Sequence, residues 1–416
     1  MTRHSLFVLA LAGCFGGGPV PSTGADAPLV FEVVPASADT ACTGGSTYIT
    51  SVAFGSDSGY ALLYPYGPED DGCNTNTPSN VAVSVMQFPI DGSRPTGQMV
   101  GTAGMSSTQI ARPQIALGSN GPVSLFDTAG QPPTLELAVL GGSPQALTGS
   151  GQLGDLAGAA GNYALAVASQ QPSDPMSPIY PCCESDDMQS TPAQLLQYTI
   201  AGTQVTATPP LMLTAIAAGE LPSAIAANST AAFYILPKQA GFGIEAVTGS
   251  DTTELATISP TLGSTPVGLA ADDAHLAWAF AQDATQTPLA TGCQIWIVGD
   301  APLGSANPVD SIFQSSSFSC MDLALDPNAV YFTIVDEEVD AGCDGCTPNL
   351  HGVGIGRVDF TMHTFSSIAF DVEAPASGPR RIYTTQSDPD DVFVADPLVI
   401  AKISKMAFAG RTDIAP

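Results

Sequence analysis

Along most of the chain, short apolar runs alternate with clusters of glycine, proline, asparagine, aspartate and serine, the pattern of strands and turns. It is clearest in the stretch Met321 to Asp336, MDLALDPNAVYFTIVD. This reads as a short strand, a tight turn at Asp326-Pro327-Asn328, and a second strand carrying Val330, Tyr331 and Phe332. The first-strand core Asp322-Leu323-Ala324 aligns with Ser51-Val52-Ala53, Gln114-Ile115-Ala116, Asp155-Leu156-Ala157, Ala224-Ile225-Ala226, Gly268-Leu269-Ala270 and, less cleanly, Arg381-Ile382-Tyr383. Each copy runs through a turn of small or polar residues into a second apolar strand, such as Tyr60 to Tyr64, Ala232 to Leu236 or Leu276 to Phe280. Third strands follow after loops of variable length, for example Val81 to Phe88 and Ile295 to Val298; fourth strands are weaker.

Repeats of roughly 40 to 65 residues with about four short strands each predict a β-propeller, here all-β with seven blades. One such sheet cannot bury both faces alone, whereas a ring of them packs every face on a neighbour. The recurring alanines Ala53, Ala116, Ala157, Ala226, Ala270 and Ala324 suit the crowded centre of that ring. The last unit runs out of chain, so the strand pattern Leu29 to Val34, LVFEVV, is expected to complete the final blade. The competing arrangement has Met406 to Gly410 as the last strand and Leu29 to Val34 at the rim.

The repeat, roughly apolar-Ala-x-Asp-x-x-x-Val-Tyr, resembles that of propeller lipoproteins from predatory and soil δ-proteobacteria. It matches best at Leu323 to Phe332 and Leu269 to Trp278, and loosely from Tyr48 to the C-terminus. Blade 2 lacks the Val-Tyr pair and blade 7 departs at Tyr383. The resemblance implies a fold and a location rather than an activity, since propellers host many functions.

Composition narrows the function classes. Hydrophobic residues make up 44%, ample for a core, while charged residues make up 12%, about half the usual share. A formal charge of -29 argues against nucleic acid, whose phosphates need a basic surface. Between Arg112 and Arg357 the one basic side chain is Lys238, so a cation such as calcium would find more partners than an anion.

Arg3 and His4 precede an apolar run, Leu6 to Leu11, too short to span a bilayer and laid out as a secretory signal. Leu11-Ala12-Gly13-Cys14 has the form of a bacterial lipobox. Residues 1–13 would then be removed, Cys14 lipidated, and residues 14–27 would act as a tether before a propeller domain at 28–416. Phe15 rather than aspartate follows the cysteine, the pattern of passage to the outer membrane, on its periplasmic or cell-surface face. The alternative is a plain signal peptide with an incidental cysteine.

Eight further cysteines, Cys42, Cys73, Cys182, Cys183, Cys293, Cys320, Cys343 and Cys346, read as disulfides in an exported chain. Chain proximity favours Cys42 with Cys73, Cys293 with Cys320 and Cys343 with Cys346, leaving the vicinal pair Cys182-Cys183. Zinc at Cys343 and Cys346, with His351 and His363, is the rival reading.

Acids gather in the expected connections between second and third strands: Glu69, Asp70 and Asp71; Glu184, Asp186 and Asp187; Asp336, Asp340 and Asp344. On one face they would suit calcium, whose ligands are oxygens; the plainer reading is solubility. At the centre, the residues preceding each apolar-Ala pair form a ring of Ser51, Gln114, Asp155, Ala224, Gly268, Asp322 and Arg381. Its polar members are candidates for a ligand or metal, against the alternative of an ion-paired or hydrogen-bonded lining. No G-x-S-x-G or H-E-x-x-H is present, and Trp278 and Trp296 fall within strands as core residues. Two functions follow. One is an anchored, monomeric binding or scaffold propeller for a protein, peptide or glycan, touching the membrane through its lipid alone. The other is a calcium-dependent hydrolase or lyase using the channel acids.

Overall fold

A computed structural model describes residues 29–32, 48–64, 81–91, 93, 97–106, 113–118, 121–127, 135–146, 153–159, 161–168, 191–202, 204–239, 241–259, 264–282, 292–299, 309–338, 349–369, 381–385, 388–395 and 399–409. Among these residues the strands form seven antiparallel sheets, the blades of a propeller. Blade 1 comprises Tyr48–Phe54, Ser58–Tyr64, Val81–Pro89 and Gln98–Ser106, counted from the centre outward. Blade 2 comprises Gln114–Gly118, Gly121–Asp127, Leu135–Val139 and Gln145–Ala146. Blade 3 has Leu153–Ala159, Asn162–Ala168, Ala193–Ala201 and Gln204–Ala207, with Leu211–Leu213 as an added strand on Ala193–Ala201. Blade 4 is Ala224–Ala227, Ala232–Lys238, Gly241–Thr248 and Asp251–Ile258, and blade 5 is Ser264–Ala271, Leu276–Gln282, Cys293–Val298 and Val309–Ser315. Blade 6 holds Ser319–Leu325, Ala329–Glu338, Asn349–Asp359 and Phe365–Ala369.

Blade 7 closes the ring. Its strands Arg381–Thr385, Asp388–Ala395 and Val399–Ser404 are completed by Leu29–Glu32, which pairs with Val399–Ser404 from the far end of the chain. The innermost strands contact one another in order from blade 1 to blade 7, and blade 7 contacts blade 1. The competing last strand is instead a short 3-10 helix, Lys405–Phe408, capped by the Ser404 hydroxyl. Its buried Phe408 packs on Tyr331 of blade 6, so the segment plugs a seam rather than extending a sheet.

The core is divided. Seven clusters of buried apolar residues lie among the described residues, one in each seam between neighbouring blades. Alternation along each strand explains this, because successive side chains point to opposite faces and both faces meet a neighbour. In the last seam Phe54 of blade 1 lies 4.5 Å from Phe393 and 5.4 Å from Tyr383 of blade 7, ring centre to ring centre. Trp278 is fully buried as expected, whereas Trp296 is only half-buried at the edge of the same cluster.

One expectation shifts. Asp336, expected in a loop, belongs to the second strand of blade 6, whose pairing continues outward to Glu338 opposite Asn349. Its partner, the third strand, correspondingly begins at Asn349. Long paired strands satisfy each other's backbone, so the ladder runs past the apolar residues that revealed it.

Candidate functional site

Three of the polar side chains expected to line the channel, Ser51, Gln114 and Asp322, bond to the neighbouring blade. The Ser51 hydroxyl donates to the Ile115 carbonyl of blade 2 at 3.4 Å. Gln114 of blade 2 grips the backbone of blade 3 on both sides of Asp155, donating to the Gly154 carbonyl at 3.2 Å and accepting from the Leu156 amide at 2.7 Å. Asp322 of blade 6 accepts from the Ile382 amide of blade 7 at 2.9 Å. Each bond joins one innermost strand to the next.

Local geometry explains how Asp322 reaches its partner. The pairing of blade 6's first two strands slips between Met321 and Leu323, leaving Asp322 as the extra residue of a bulge with φ 44°. Aspartate tolerates this left-handed conformation better than most residues, and the bulge aims its carboxylate at the neighbouring blade. Gly268, the ring member of blade 5, fills a tight approach: a Cβ there would lie 3.2 Å from the Leu323 backbone nitrogen. Asp155 is half-buried on the innermost strand of blade 3, Ala224 sits on that of blade 4, and Arg381 begins that of blade 7. The side chain of Arg381 lies outside the described residues.

The turns that follow the innermost strands repeat one device. Asn228, Asp272 and Asp326 each use a side-chain oxygen to accept from amides two and three residues on, at 2.5 to 2.9 Å. This Asx turn is the physical content of the aspartate in the sequence repeat. Neighbouring turns are linked as well: Asn162 donates to the Asn228 carbonyl at 3.2 Å and Asn228 to the Asp272 carbonyl at 3.0 Å.

Scarce cations concentrate where the ring closes. Lys402 Nζ lies 2.5 Å from Asp388, 2.9 Å from Asp391 and 3.0 Å from the Ile90 carbonyl of blade 1. Burial raises the Asp391 carboxyl above its ordinary range; Lys402 pulls it down, and Asp388 beside it pushes it up again. For Lys402, burial alone would lower the ammonium, but the two carboxylates outweigh it and hold it high. Lys405 pairs with Asp326 of blade 6 at 2.9 Å, and Tyr331 donates to the same carboxylate at 3.0 Å. Repeat patterns gave no notice of these residues. Their one signal is local, two lysines beside two aspartates in a chain with ten basic residues.

The expected cystine between Cys293 and Cys320 is present, with Cα atoms 5.4 Å apart and both residues fully buried. It joins the third strand of blade 5 to the first of blade 6. Cys14, Cys42, Cys73, Cys182, Cys183, Cys343 and Cys346 lie outside the described residues. So do Glu69, Asp70, Asp71, Glu184, Asp186, Asp187, Asp340 and Asp344, and the side chain of Asp336. Among the described residues, no group of three or more histidine, cysteine, aspartate or glutamate side chains converges as a metal site. No helix among them is long and apolar enough to cross a membrane.

No family model matches the chain, and no curated protein matches it. Among solved structures it is similar to YCF48 from Cyanidioschyzon merolae, at 13% identity and a TM-score of 0.45, over 87% of this chain and 97% of that one. It is similar also to an endosialidase of phage phi92, at 11% identity and a TM-score of 0.46, over 95% of this chain and 71% of that one. A Pyrococcus horikoshii acylaminoacyl peptidase matches at 9% identity and a TM-score of 0.44, over 84% of this chain but only 49% of the peptidase.

Proposed function

We propose that the chain is an outer-membrane lipoprotein, lipidated at Cys14, whose propeller is a rigid binding or scaffold module rather than a catalyst. The observation that carries this reading is the use of the channel side chains. Ser51, Gln114 and Asp322 tie blade to blade, so groups that central chemistry would need are holding the ring together. A buried cystine between blades fits folding in an oxidising compartment, as an exported chain requires. The sequence Leu11-Ala12-Gly13-Cys14 supplies the anchor, and residues 14–27 give the propeller reach from the membrane.

Metabolic labelling with a palmitate analogue, followed by membrane fractionation, tests the anchor. The native chain is expected to carry the label and to sediment with the outer membrane, and Cys14→Ala to lose both. Label retained in the variant, or a native chain found free in the periplasm, would overturn the reading.

A further inference from the structure

The two faces of the ring differ in what leaves them. One carries the turns between first and second strands, such as that at Asp326, and the turns between third and fourth strands, such as that from Phe360 to Thr364. From the other leave the connections 65–80, 169–192 and 339–348, which hold the acidic clusters. The N-terminal strand shows on which face the anchor lies. Leu29 is opposite Lys402 and Glu32 opposite Val399, while Ser404, two residues past Lys402, is opposite Asp391 near the turn of blade 7. Leu29 is thus the end of its strand that points to the turn face, and extended chain from Cys14 to Leu29 spans at most about 50 Å.

Exposed apolar side chains gather around that entry point. Met406, 76% exposed, is on the 3-10 helix that follows the last strand of blade 7. Met362, 68% exposed, is in the turn before the fourth strand of blade 6, which that helix touches. Met99, 54% exposed, is the second residue of the outer strand of blade 1. Its cross-strand partner Met86 is buried in the seam with blade 7, and Met99 continues that face outward, with Val100 exposed beside it. Blades 6, 7 and 1 are consecutive around the ring, so four of the five large apolar side chains exposed among the described residues flank the entry of the chain. The fifth, Met212, pairs beside Gln194 in blade 3, toward the acidic face. A single exposed methionine needs no explanation, whereas a set confined to one sector marks a contact surface.

Charge indicates what the surface meets. Three of the ten basic residues lie in this sector, each paired with acid: Arg357 with Asp359, Lys405 with Asp326, and Lys402 with Asp388 and Asp391. Asp57, Asp91 and Asp390 are the exposed acids left near the turns of blades 7 and 1. The sector is therefore weakly acidic within a chain of formal charge -29, and it holds no free cation for anionic headgroups among its described residues. A second copy would bring the same charge and meet repulsion. A zwitterionic lipid surface meets none, and a tether keeps the face close to it, so weak insertion by a few side chains suffices. Methionine suits that contact because its side chain is apolar and adaptable.

We infer that the turn face of blades 6, 7 and 1 rests on the bilayer that holds the anchor, with Met362 and Met406 entering the headgroup region of zwitterionic lipid and Met99 at the margin. The inference rests on the lipoprotein reading. It turns the acidic face away from the membrane, toward whatever the propeller binds.

Methionine oxidation by dilute peroxide, followed residue by residue by mass spectrometry, is the test, because the chain carries its own probes and Met212 as an internal control. The lipidated chain is reconstituted in phosphatidylcholine vesicles and recovered by flotation. Met362 and Met406 are expected to oxidise at least about threefold more slowly than in the Cys14→Ala chain free in solution, with Met99 slowed less and Met212 unchanged. Met362→Glu combined with Met406→Glu should keep flotation and Tm while Met99 returns to the unanchored rate. Flotation with every methionine oxidised at the unanchored rate would overturn the orientation and leave the lipoprotein reading in place. A chain that does not float would sink that reading and the contact with it. Slowing that needs no vesicles and grows with protein concentration would mean that a second copy covers the face. Slowing confined to phosphatidylglycerol vesicles would overturn the choice of zwitterionic lipid.

Discussion

Asp326 performs three tasks with one carboxylate. One oxygen caps the turn by accepting from the Asn328 and Ala329 amides, and the other takes the Tyr331 hydroxyl and the Lys405 ammonium. Burial opposes its ionisation, but Lys405, the amide donors and Tyr331 outweigh that and hold the carboxyl below its ordinary value. A depressed carboxylate contributes stability above its unfolded pKa, about 3.9, and loses it as pH falls through the lower folded value. Asp326→Asn keeps the cap, as Asn228 does in blade 4, and removes the ion pair. Denaturant unfolding should show it about 1–3 kcal/mol less stable than the native chain at pH 7, with the gap closing below about pH 4. A gap independent of pH would mean that the Lys405 pair contributes nothing. The turn itself was legible, because aspartate before Pro-Asn between apolar runs has a local cause. Asp322 was legible only as a ring member. Its left-handed bulge and its bond to blade 7 depend on a strand sixty residues away, to which no local pattern points.

Between elements, the seams matter more than the sheets. The cystine from Cys293 to Cys320 crosses the seam of blades 5 and 6, where it is surrounded by Ile295, Phe318, Leu323 and Phe332. Its 27-residue separation limits the unfolded chain, which corresponds to about 3–4 kcal/mol in the loop-entropy account. Replacing both cysteines with alanine is therefore expected to lower the urea midpoint by that much free energy while leaving the far-ultraviolet circular dichroism unchanged. A loss near zero would show that packing alone holds the seam. Chain proximity identified the partners, yet it could not say that they sit in different blades.

At the scale of the whole ring, the repeat made both the blade count and the closing strand legible, since each blade needs a fourth strand and the last copy lacked one. The electrostatic part of closure was not, because it joins Lys402 to Ile90 across the chain's two ends. Blade 7 is held to blade 1 by the apolar contacts of Phe54 and Phe393, by Lys402, and by the edge cover of Leu29–Glu32. Removing residues 29–32 leaves the first two intact but uncovers Val399–Ser404, an edge with unpaired amides ready to pair with another copy. The shortened chain is expected to associate with rising concentration in analytical ultracentrifugation. It should also exchange amide hydrogens faster at 399–404 than in blades 4 and 5, while those blades keep native protection. If the shortened chain stays monomeric and its protection is unchanged, closure rests on the side chains of the seam, and the N-terminal strand is only a cover. Uniform loss of protection would instead mean that the seven seams unfold as one unit, with the closing strand as much a part of that unit as any blade.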